Sequence, residues 1–294
     1  MVLLYSEDRR LDKLENLLNY SSSHTNEKIK LLVYQDYGFG DMVQFLRYIP
    51  LLSDSTDKLG LLIKGNFYEP WVEAAAEPPS FKWLITEQYG SHLDDTLIDG
   101  WNSVPKYYTH KIEFMDLANI YPVIKPDVWH ISNEKPKCLE QISVGYCLSG
   151  SKGHPNDKYR SIEKIHFSKF INTFKDRVNF VDLSQEALRQ KYGCFTIQDT
   201  VKIIKSLDLV ISVDTLIVHL AGYCQIPIFL LHGSVNDNRW HNDEWYNNVT
   251  HFYQGKNDEW GNLINTNLTK NFSDWWENCI GKTTEKLSES KKRD

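Results

Sequence analysis

Short apolar runs recur along the chain, each closed by a polar turn and followed by a stretch whose apolar residues return every three or four positions. In the first half, 30–34 (KLLVY) predicts a strand, Gly38-Phe39-Gly40-Asp41 a tight turn, and 42–52 (MVQFLRYIPLL) a helix. A second strand is expected at 59–63 (LGLLI), and WVEAAAEPP followed by FKWLIT continues the alternation of helix and strand. Residues 94–101 and 107–120 have no readable period. The segment 121–137 (YPVIKPDVWHISNEKPK) holds three prolines and no periodicity, which places the interdomain crossing there.

The pattern then restarts. Residues 142–148 (ISVGYCL) predict a strand that runs into a long polar loop, 149–161 (SGSKGHPNDKYRS). A helix around 167–174, a strand at 178–183 (VNFVDL), the short segment CFTI and a helix at 199–206 follow. The stretch LDLVISVDTLIVHLAG at 207–222 is the most informative in the chain. Its Leu, Val and Ile run reads as a buried strand, which Asp214 and Thr215 stop, opening an amphipathic helix with Leu216, Val218, His219 and Leu220. One more strand is expected at 226–231 and a helix at NFSDWWENCI, with the charged GKTTEKLSESKKRD tail disordered. Strands alternating with helices in both halves predict an α/β protein with two Rossmann-like parallel-sheet domains. The expected division is a lead-in helix and loop at 1–29, a first domain at 30–130, a second at 138–280 and a flexible tail at 281–294.

Composition narrows the function classes. The chain has 294 residues, 41% hydrophobic and 24% charged, ordinary for a soluble globular protein. Its net charge of −6 argues against a partner that is nucleic acid, because neutralising phosphates needs a concentrated surplus of Lys and Arg. No run approaches the ~18 apolar residues that span a bilayer. The apolar start MVLLY is too short for a secretory signal, so a cytoplasmic protein is expected. Five cysteines, with no C-x-x-C pair, fit reduced and buried thiols rather than a zinc site. Nine Trp and sixteen Tyr suit a carbohydrate-facing surface, although most aromatics in any chain are core.

Ligands of parallel sheets bind beyond the carboxyl ends of the strands, and the informative polar residues stand there in each half. Asp41 follows the first strand; it reads either as an N-cap or as a general base that takes a hydroxyl proton. The loop after 142–148 carries Lys152, His154, Lys158 and Arg160 among Gly150, Ser151, Gly153 and Ser161. Such a run is either a solvated loop or a phosphate clamp, with the planar fork of Arg160 on phosphate oxygens and small residues letting the backbone approach. After 207–213, the free N–H groups and positive dipole end of the next helix suit a diphosphate. Asp214 or Thr215 reads equally as a simple cap and His219 as a core histidine. No pair of acids at a strand end suggests a metal.

These stretches also resemble a known family. LLVYQDYGFGDMVQFLRYIPLL resembles the G-x-G-D-x-x-Q-F-x-R-Y opening of the bacterial heptosyltransferase-like glycosyltransferases, glycosyltransferase family nine, in the branch often fused to tetratricopeptide repeats. VGYCLSGSKGHPNDKYRSI is similar to that branch's loop at Gly150, His154, Asn156, Asp157, Arg160 and Ser161. LDLVISVDTLIVHLAG resembles its D-L-V-I-S-V-D-T-x-x-x-H-L-A-G signature, and NRWHNDEWYNNVTHFYQ its closing R-W…W-Y segment. Four blocks in the family's order cover the chain from about residue 30 to 255.

The resemblance implies the GT-B fold, two such domains facing each other across a cleft. It also implies metal-independent, inverting transfer of a sugar from a nucleoside-diphosphate sugar, without a cofactor, to a hydroxyl of a glycan, lipid-linked or protein acceptor. Asp41 takes the place of the catalytic base. Gly40, Gly150, Ser151, His154, Asn156, Arg160, Ser161, Asp214, Thr215 and His219 fall at donor or phosphate positions, and Gln44, Arg239 and Trp240 at donor or acceptor contacts. Leu216 stands where heptosyltransferases proper often have Gly, which leaves the sugar open, and no tetratricopeptide period is present. Two alternatives stay in play: a nucleotide-sugar epimerase on the same fold, and a non-catalytic sugar- or nucleotide-binding module.

Overall fold

The structure, a computed structural model, describes residues 2–3, 29–35, 38–63, 81–98, 104–121, 124, 142–154, 156–194, 196–235, 238–241, 245–255 and 259–290. The chain forms two compact units, Met1–Ile131 with Leu188–Lys202 and Asn242–Asn247, and Ser132–Ala187 with Ile203–His241 and Asn248–Asp294.

In the first unit, strands β1 (Val2–Leu3), β2 (Lys30–Tyr34), β3 (Lys58–Ile63), β4 (Asp95–Ile98) and β5 (His110–Glu113) make one parallel sheet in the order β1-β5-β2-β3-β4. Leu31, Leu32 and Val33 of β2 are fully buried, the continuous apolar run expected of a strand covered on both faces. The helix expected at 42–52 begins earlier and is interrupted. Helix α1 (Phe39–Phe45) gives way to a 3-10 turn (Leu46–Tyr48) before α2 (Ile49–Ser55). Pro50 has no N–H to return to Leu46, and the Leu46 carbonyl instead accepts from Ile49 at three-residue spacing.

FKWLIT is not a strand. It opens helix α3 (Phe81–Tyr89), whose Ile85 and Tyr89 are buried four residues apart on one face. The two stretches without a readable period contain β4 and β5, and β5 leads through a 3-10 turn (Phe114–Asp116) into α4 (Leu117–Ile120). Asp94 and Asp95 sit at the amino end of β4, where Asp94 accepts the Leu59 N–H at 2.8 Å and Asp95 the hydroxyls of Tyr107 and Tyr108. The lead-in helix expected near the amino terminus and WVEAAAEPP lie outside the described residues.

The second sheet comprises β6 (Ile142–Cys147), β7 (Val178–Asp182), β8 (Leu209–Val213), β9 (Ile228–His232) and β10 (Val249–Tyr253), all parallel in the order β10-β9-β8-β6-β7. Between β6 and β7 lie a one-turn helix, α5 (Asp157–Arg160), and α6 (Lys164–Phe174). Residues Phe167, Phe170 and Phe174 of α6 recur every three or four positions and bury one face. Helices α7 (Gln185–Tyr192) and α8 (Ile197–Ser206) precede β8, and α9 (Leu216–Tyr223) follows it. After β10 come α10 (Trp260–Leu263), a π-turn (Ile264–Leu268) and α11 (Thr269–Ser290). Phe272 of α11 meets Phe174 and Phe170 edge-on at centroid distances of 4.7 and 5.0 Å, closing the aromatic core of this unit. Helix α11 runs on to Ser290 where a disordered tail was expected, since Glu, Lys and Leu are good helix formers and no proline stops it.

Candidate functional site

Both sheets reverse direction once, and the chemistry-bearing residues lie at the reversals. In the second sheet β7 is added on one side of β6 while β8, β9 and β10 grow from the other, so the carboxyl ends of β6 and β8 border the switch point where ligands of open α/β sheets bind. The loop after β6 and the Asp214-Thr215 turn after β8 emerge there.

Arg160 is the centre of this arrangement. Its Nη1 donates to the Asp214 carbonyl at 2.8 Å and its Nε to Asp157 Oδ1 at 3.3 Å. Asp157 Oδ1 also accepts the Ser161 hydroxyl at 2.9 Å, and Ser161 Oγ accepts the Gly150 N–H at 3.2 Å. The guanidinium lies directly over Gly150: a Cβ there would come within 2.2 Å of Nη2. With 17% of its side chain exposed, Arg160 is a fixed, partly desolvated cation rather than a waving surface charge. Nη2 has no hydrogen-bond partner among the described residues. Gly233, after β9, lets the helix carrying Arg160 approach, since a Cβ there would meet the Tyr159 carbonyl oxygen at 1.9 Å.

Thr215 occupies the N-cap position of α9 in extended conformation but makes no capping bond. Its hydroxyl faces Ser212 Oγ at 3.2 Å and donates to Cys147 Sγ at 3.9 Å, so the simple cap does not describe it. Burial pushes the Cys147 thiol up, and Cys224 up to about 12, which keeps both as unreactive thiols. Cys147, Cys194 and Cys224 are free, buried thiols, as the sequence implied, Cys279 is half-buried, and Cys138 lies outside the described residues.

His219 is 2% exposed, stacks on Trp240 at 5.6 Å and brings Nε2 to 3.9 Å from Asp214 Oδ1. It braces the Asp214 side chain from the interior. Trp240 is 1% exposed and packs in a pile with His232 and His251, whose rings share a 2.8 Å hydrogen bond. Gln44 is likewise fully buried, and Arg239 is half-buried. Ser151, His154 and Asn156 stand exposed in the turn before α5, tied to one another through His154 N–H to Ser151 O and Asn156 N–H to His154 Nδ1. The structure thus gathers Gly150, Arg160, Ser161, Asp214 and Thr215, and leaves Ser151, His154 and Asn156 at the rim.

In the first unit the switch lies between β2 and β5, and Asp41 comes from the turn after β2. Asp41 is the third residue of α1 rather than its N-cap, and its Oδ2 accepts the Gly38 N–H at 3.0 Å in a capping-box arrangement. Gly40 is half-buried in the same first turn.

Three residues to which sequence reasoning gave no role stand near these sites. Asp157 holds both Arg160 and Ser161; its place in the N-D-x-x-R-S run was the available signal. Arg47, 3% exposed, donates to the carbonyls of Gln44, Ile124 and Trp245 at 2.7 Å each and lies 4.8 Å from the Tyr246 ring centre. It joins the F-x-R-Y block to the W-Y block within the first unit, an inward use of an arginine that spacing cannot reveal. Glu113, at the end of β5, had no signal in the sequence.

With the geometry in place, comparison with known proteins adds one result. No family model and no curated protein matches the sequence. Among solved structures, the iron-containing dodecameric glycosyltransferase TibC of enterotoxigenic E. coli superposes with a TM-score of 0.50 at 13% identity, over 71% of this chain and 60% of TibC. The chain shares its fold with TibC. A family 9 glycosyl transferase from Veillonella parvula aligns at 11% identity and a TM-score of 0.47 over 78% of this chain and 87% of its own. The E. coli heptosyltransferase WaaC with ADP aligns at 10% identity and 0.43 over 83% and 98%. Among the described residues no three His, Cys, Asp or Glu side chains are grouped to hold a metal ion, and no helix is long and apolar enough to cross a membrane.

Proposed function

We propose that the protein is a glycosyltransferase that moves a sugar, with inversion and without a metal, from a nucleoside-diphosphate sugar to an acceptor hydroxyl of a glycan, lipid-linked or protein substrate in the cytoplasm. The observation that carries this reading is the Arg160 guanidinium, locked over Gly150 at the switch point of the second sheet with Nη2 left for an anion. A planar cation beside the amino end of α9 is suited to the oxygens of a diphosphate. The same charges stabilise the diphosphate as it leaves, and they are preorganised, so little reorganisation is needed at the moment of reaction.

Asp41 then serves as general base. The acceptor O–H proton passes to its carboxylate while the acceptor oxygen attacks the anomeric carbon, and the bond to the diphosphate breaks with its electron pair on phosphate oxygen. One displacement inverts the anomeric centre. Asp214 and Thr215 meet the donor beside Arg160, and His219 and Trp240 hold Asp214 in place.

Calorimetry of the full chain against UDP, GDP, ADP and CMP tests the assignment. One nucleotide should bind, about 10- to 150-fold more weakly to Arg160→Ala, the loss of a charged hydrogen bond. Asp41→Asn should keep that affinity and lower turnover ~10²- to 10⁴-fold. Equal affinity in wild type and Arg160→Ala sinks the donor site. If no nucleotide binds, the non-catalytic scaffold becomes the better reading.

A further inference from the structure

Tyr253 ends β10, the edge strand of the second sheet, in register with His232, which ends β9. Side chains alternate along a strand. Phe252 and Leu231 turn into the aromatic core of the unit, so Tyr253, His251 and His232 stand on the opposite face of the sheet. There the Tyr253 ring lies parallel to the His232 ring, with 10° between planes and 4.4 Å between centroids. His232 is 2% exposed and shares the 2.8 Å hydrogen bond with His251, so the ring beneath Tyr253 is held in place. Tyr253 itself is 47% exposed. One face of the ring is backed, and the residue still opens to solvent.

The exposed ring closes a row of packed side chains that begins beside Arg160. His219 brings Nε2 to 3.9 Å from Asp214 Oδ1 and stacks on Trp240 at 5.6 Å, and Trp240 meets His232 edge-on at 6.1 Å. Asp214, whose carbonyl seats Arg160, and Tyr253 are thus the two ends of one row, all of it within the second unit. Polar groups surround Tyr253. The Gln254 N–H donates to the His232 carbonyl at 2.9 Å, and the Gln254 side-chain oxygen accepts the Ser234 N–H at 3.1 Å, which fixes the strand ends around the ring. Two further exposed side chains join at Gly233, the residue after His232: Val235, two positions on, and Tyr159, whose carbonyl presses on that glycine. Tyr159, Val235 and Tyr253 are three of the six large hydrophobic side chains exposed among the described residues, so this edge of the sheet is where such surface concentrates.

We propose that Tyr253 is the platform on which a sugar ring of a glycan acceptor lies, a saccharide subsite at the far end of the row from the donor. The inference rests on the reading that Arg160 and Asp214 hold a nucleoside-diphosphate sugar. A pyranose has a face of C–H groups and a rim of hydroxyls. A bare aromatic ring takes the apolar face, and hydrogen-bonding groups at its edge take the rim. Tyrosine has only two side-chain torsions to lose on contact, and His232 already fixes this one, so little ordering is left to oppose binding. A single ring set among polar groups is far below the contact area of a stable protein partner. The diphosphate of the donor is drawn to Arg160 at the other end of the row, which leaves Tyr253 to a sugar beyond the one transferred. Tyr253 makes no bond to the reacting atoms; it selects the glycan that is held.

Fluorine NMR of the full chain labelled with 3-fluorotyrosine tests it. The Tyr253 signal is the one absent from Tyr253→Phe. On titration with the methyl glycosides of glucose, galactose, mannose and N-acetylglucosamine, at least one should shift that signal saturably. Saturation transfer from the protein should then fall mainly on the C–H protons of one sugar face. Tyr253→Ala should raise the midpoint about three- to tenfold, the worth of an aromatic contact, and Tyr253→Phe, which keeps the ring, should restore it. A Tyr253 signal that no glycoside moves overturns the proposal, and so does a midpoint unchanged in Tyr253→Ala. If UDP, GDP or ADP alone moves that signal and glycosides add nothing, the ring belongs to the nucleobase and the proposal is overturned as well. The donor reading fails separately: a chain that binds glycosides at Tyr253 and none of the nucleotides keeps the saccharide subsite and loses the transferase.

Discussion

Replacing Gly150 by alanine separates the position of the Arg160 charge from its presence. The new Cβ would lie 2.2 Å from Nη2, 2.6 Å from Cζ and 2.7 Å from Nε, so the whole guanidinium must leave its seat. It would forfeit the 2.8 Å bond to the Asp214 carbonyl and the 3.3 Å contact with Asp157. The obstacle is the far end of a flexible side chain, so the protein yields by swinging that chain toward water. Swung into water, the guanidinium trades both contacts for hydration, so losing the partly exposed pair with Asp157 costs about 1 kcal/mol or less. Gly150 has no left-handed backbone, and alanine recovers roughly 0.4–1 kcal/mol by restricting the unfolded chain. Net stability should therefore change by less than about 1 kcal/mol in urea unfolding. Donor affinity should fall far more, by the ~1.5–3 kcal/mol of a charged hydrogen bond, or about 10- to 150-fold. Calorimetry with the nucleotide that wild type prefers measures it. An affinity within roughly twofold of wild type would refute the claim that the seated guanidinium holds the donor, because the mutation leaves the charge on the protein and removes only its place.

Gly233→Ala should act in the opposite way. Its Cβ meets the Tyr159 carbonyl at 1.9 Å, backbone that cannot turn aside, and urea unfolding should show a loss of ~1–3 kcal/mol; wild-type stability would contradict the close packing of α5 on β9. Glu113 predicts a pH-dependent stability. Its carboxyl moves from 4.5 to about 7 on folding, so between those values the folded state holds more protons than the unfolded state and stability falls as pH rises. Relative to wild type, Glu113→Gln should gain up to about 3 kcal/mol across that window and nothing below it; a pH-independent difference would show that burial does not disfavour the ionised form. Cys147 and Cys224 should resist a thiol reagent at neutral pH in the native state and react once unfolded in urea, because burial raises both thiols; rapid native labelling would refute it.

What the sequence disclosed follows from how far each signal reaches along the chain. A strand buried on both faces is a local run of apolar residues, and β2 appears at its predicted bounds for that reason. β10 escaped notice because it is an edge strand with one buried residue, Phe252, so VTHFY shows neither a run nor an alternation. FKWLIT misled because six residues satisfy a strand as readily as a helix, and the deciding pair, Ile85 and Tyr89, extends beyond them. Arg160, Asp214 and Thr215 were legible through the order and spacing of whole blocks. Gly233 and Arg47 were not, since each meets a partner that only the folded chain brings near: a helix pressed on a strand end, and carbonyls of distant segments.

The topology also puts the acid and the cation of the proposed reaction on different sheets. A base must keep its affinity for a proton, and a guanidinium beside it would hold the carboxylate ionised and weaken it. Asp41, in the first turn of α1, has its carboxylate on the Gly38 N–H. A cation meant for a diphosphate must likewise not be cancelled by its own support. Arg160 is seated by a carbonyl, a glycine and a single carboxylate that reaches only its Nε, so the fork keeps an edge for phosphate oxygens. Because Asp157 divides its Oδ1 between Arg160 and Ser161, it fixes the guanidinium without neutralising it by a bidentate pair. The second reversal thus seats one cation with an edge of its fork left open, and the short helix that carries it supplies the fine placement.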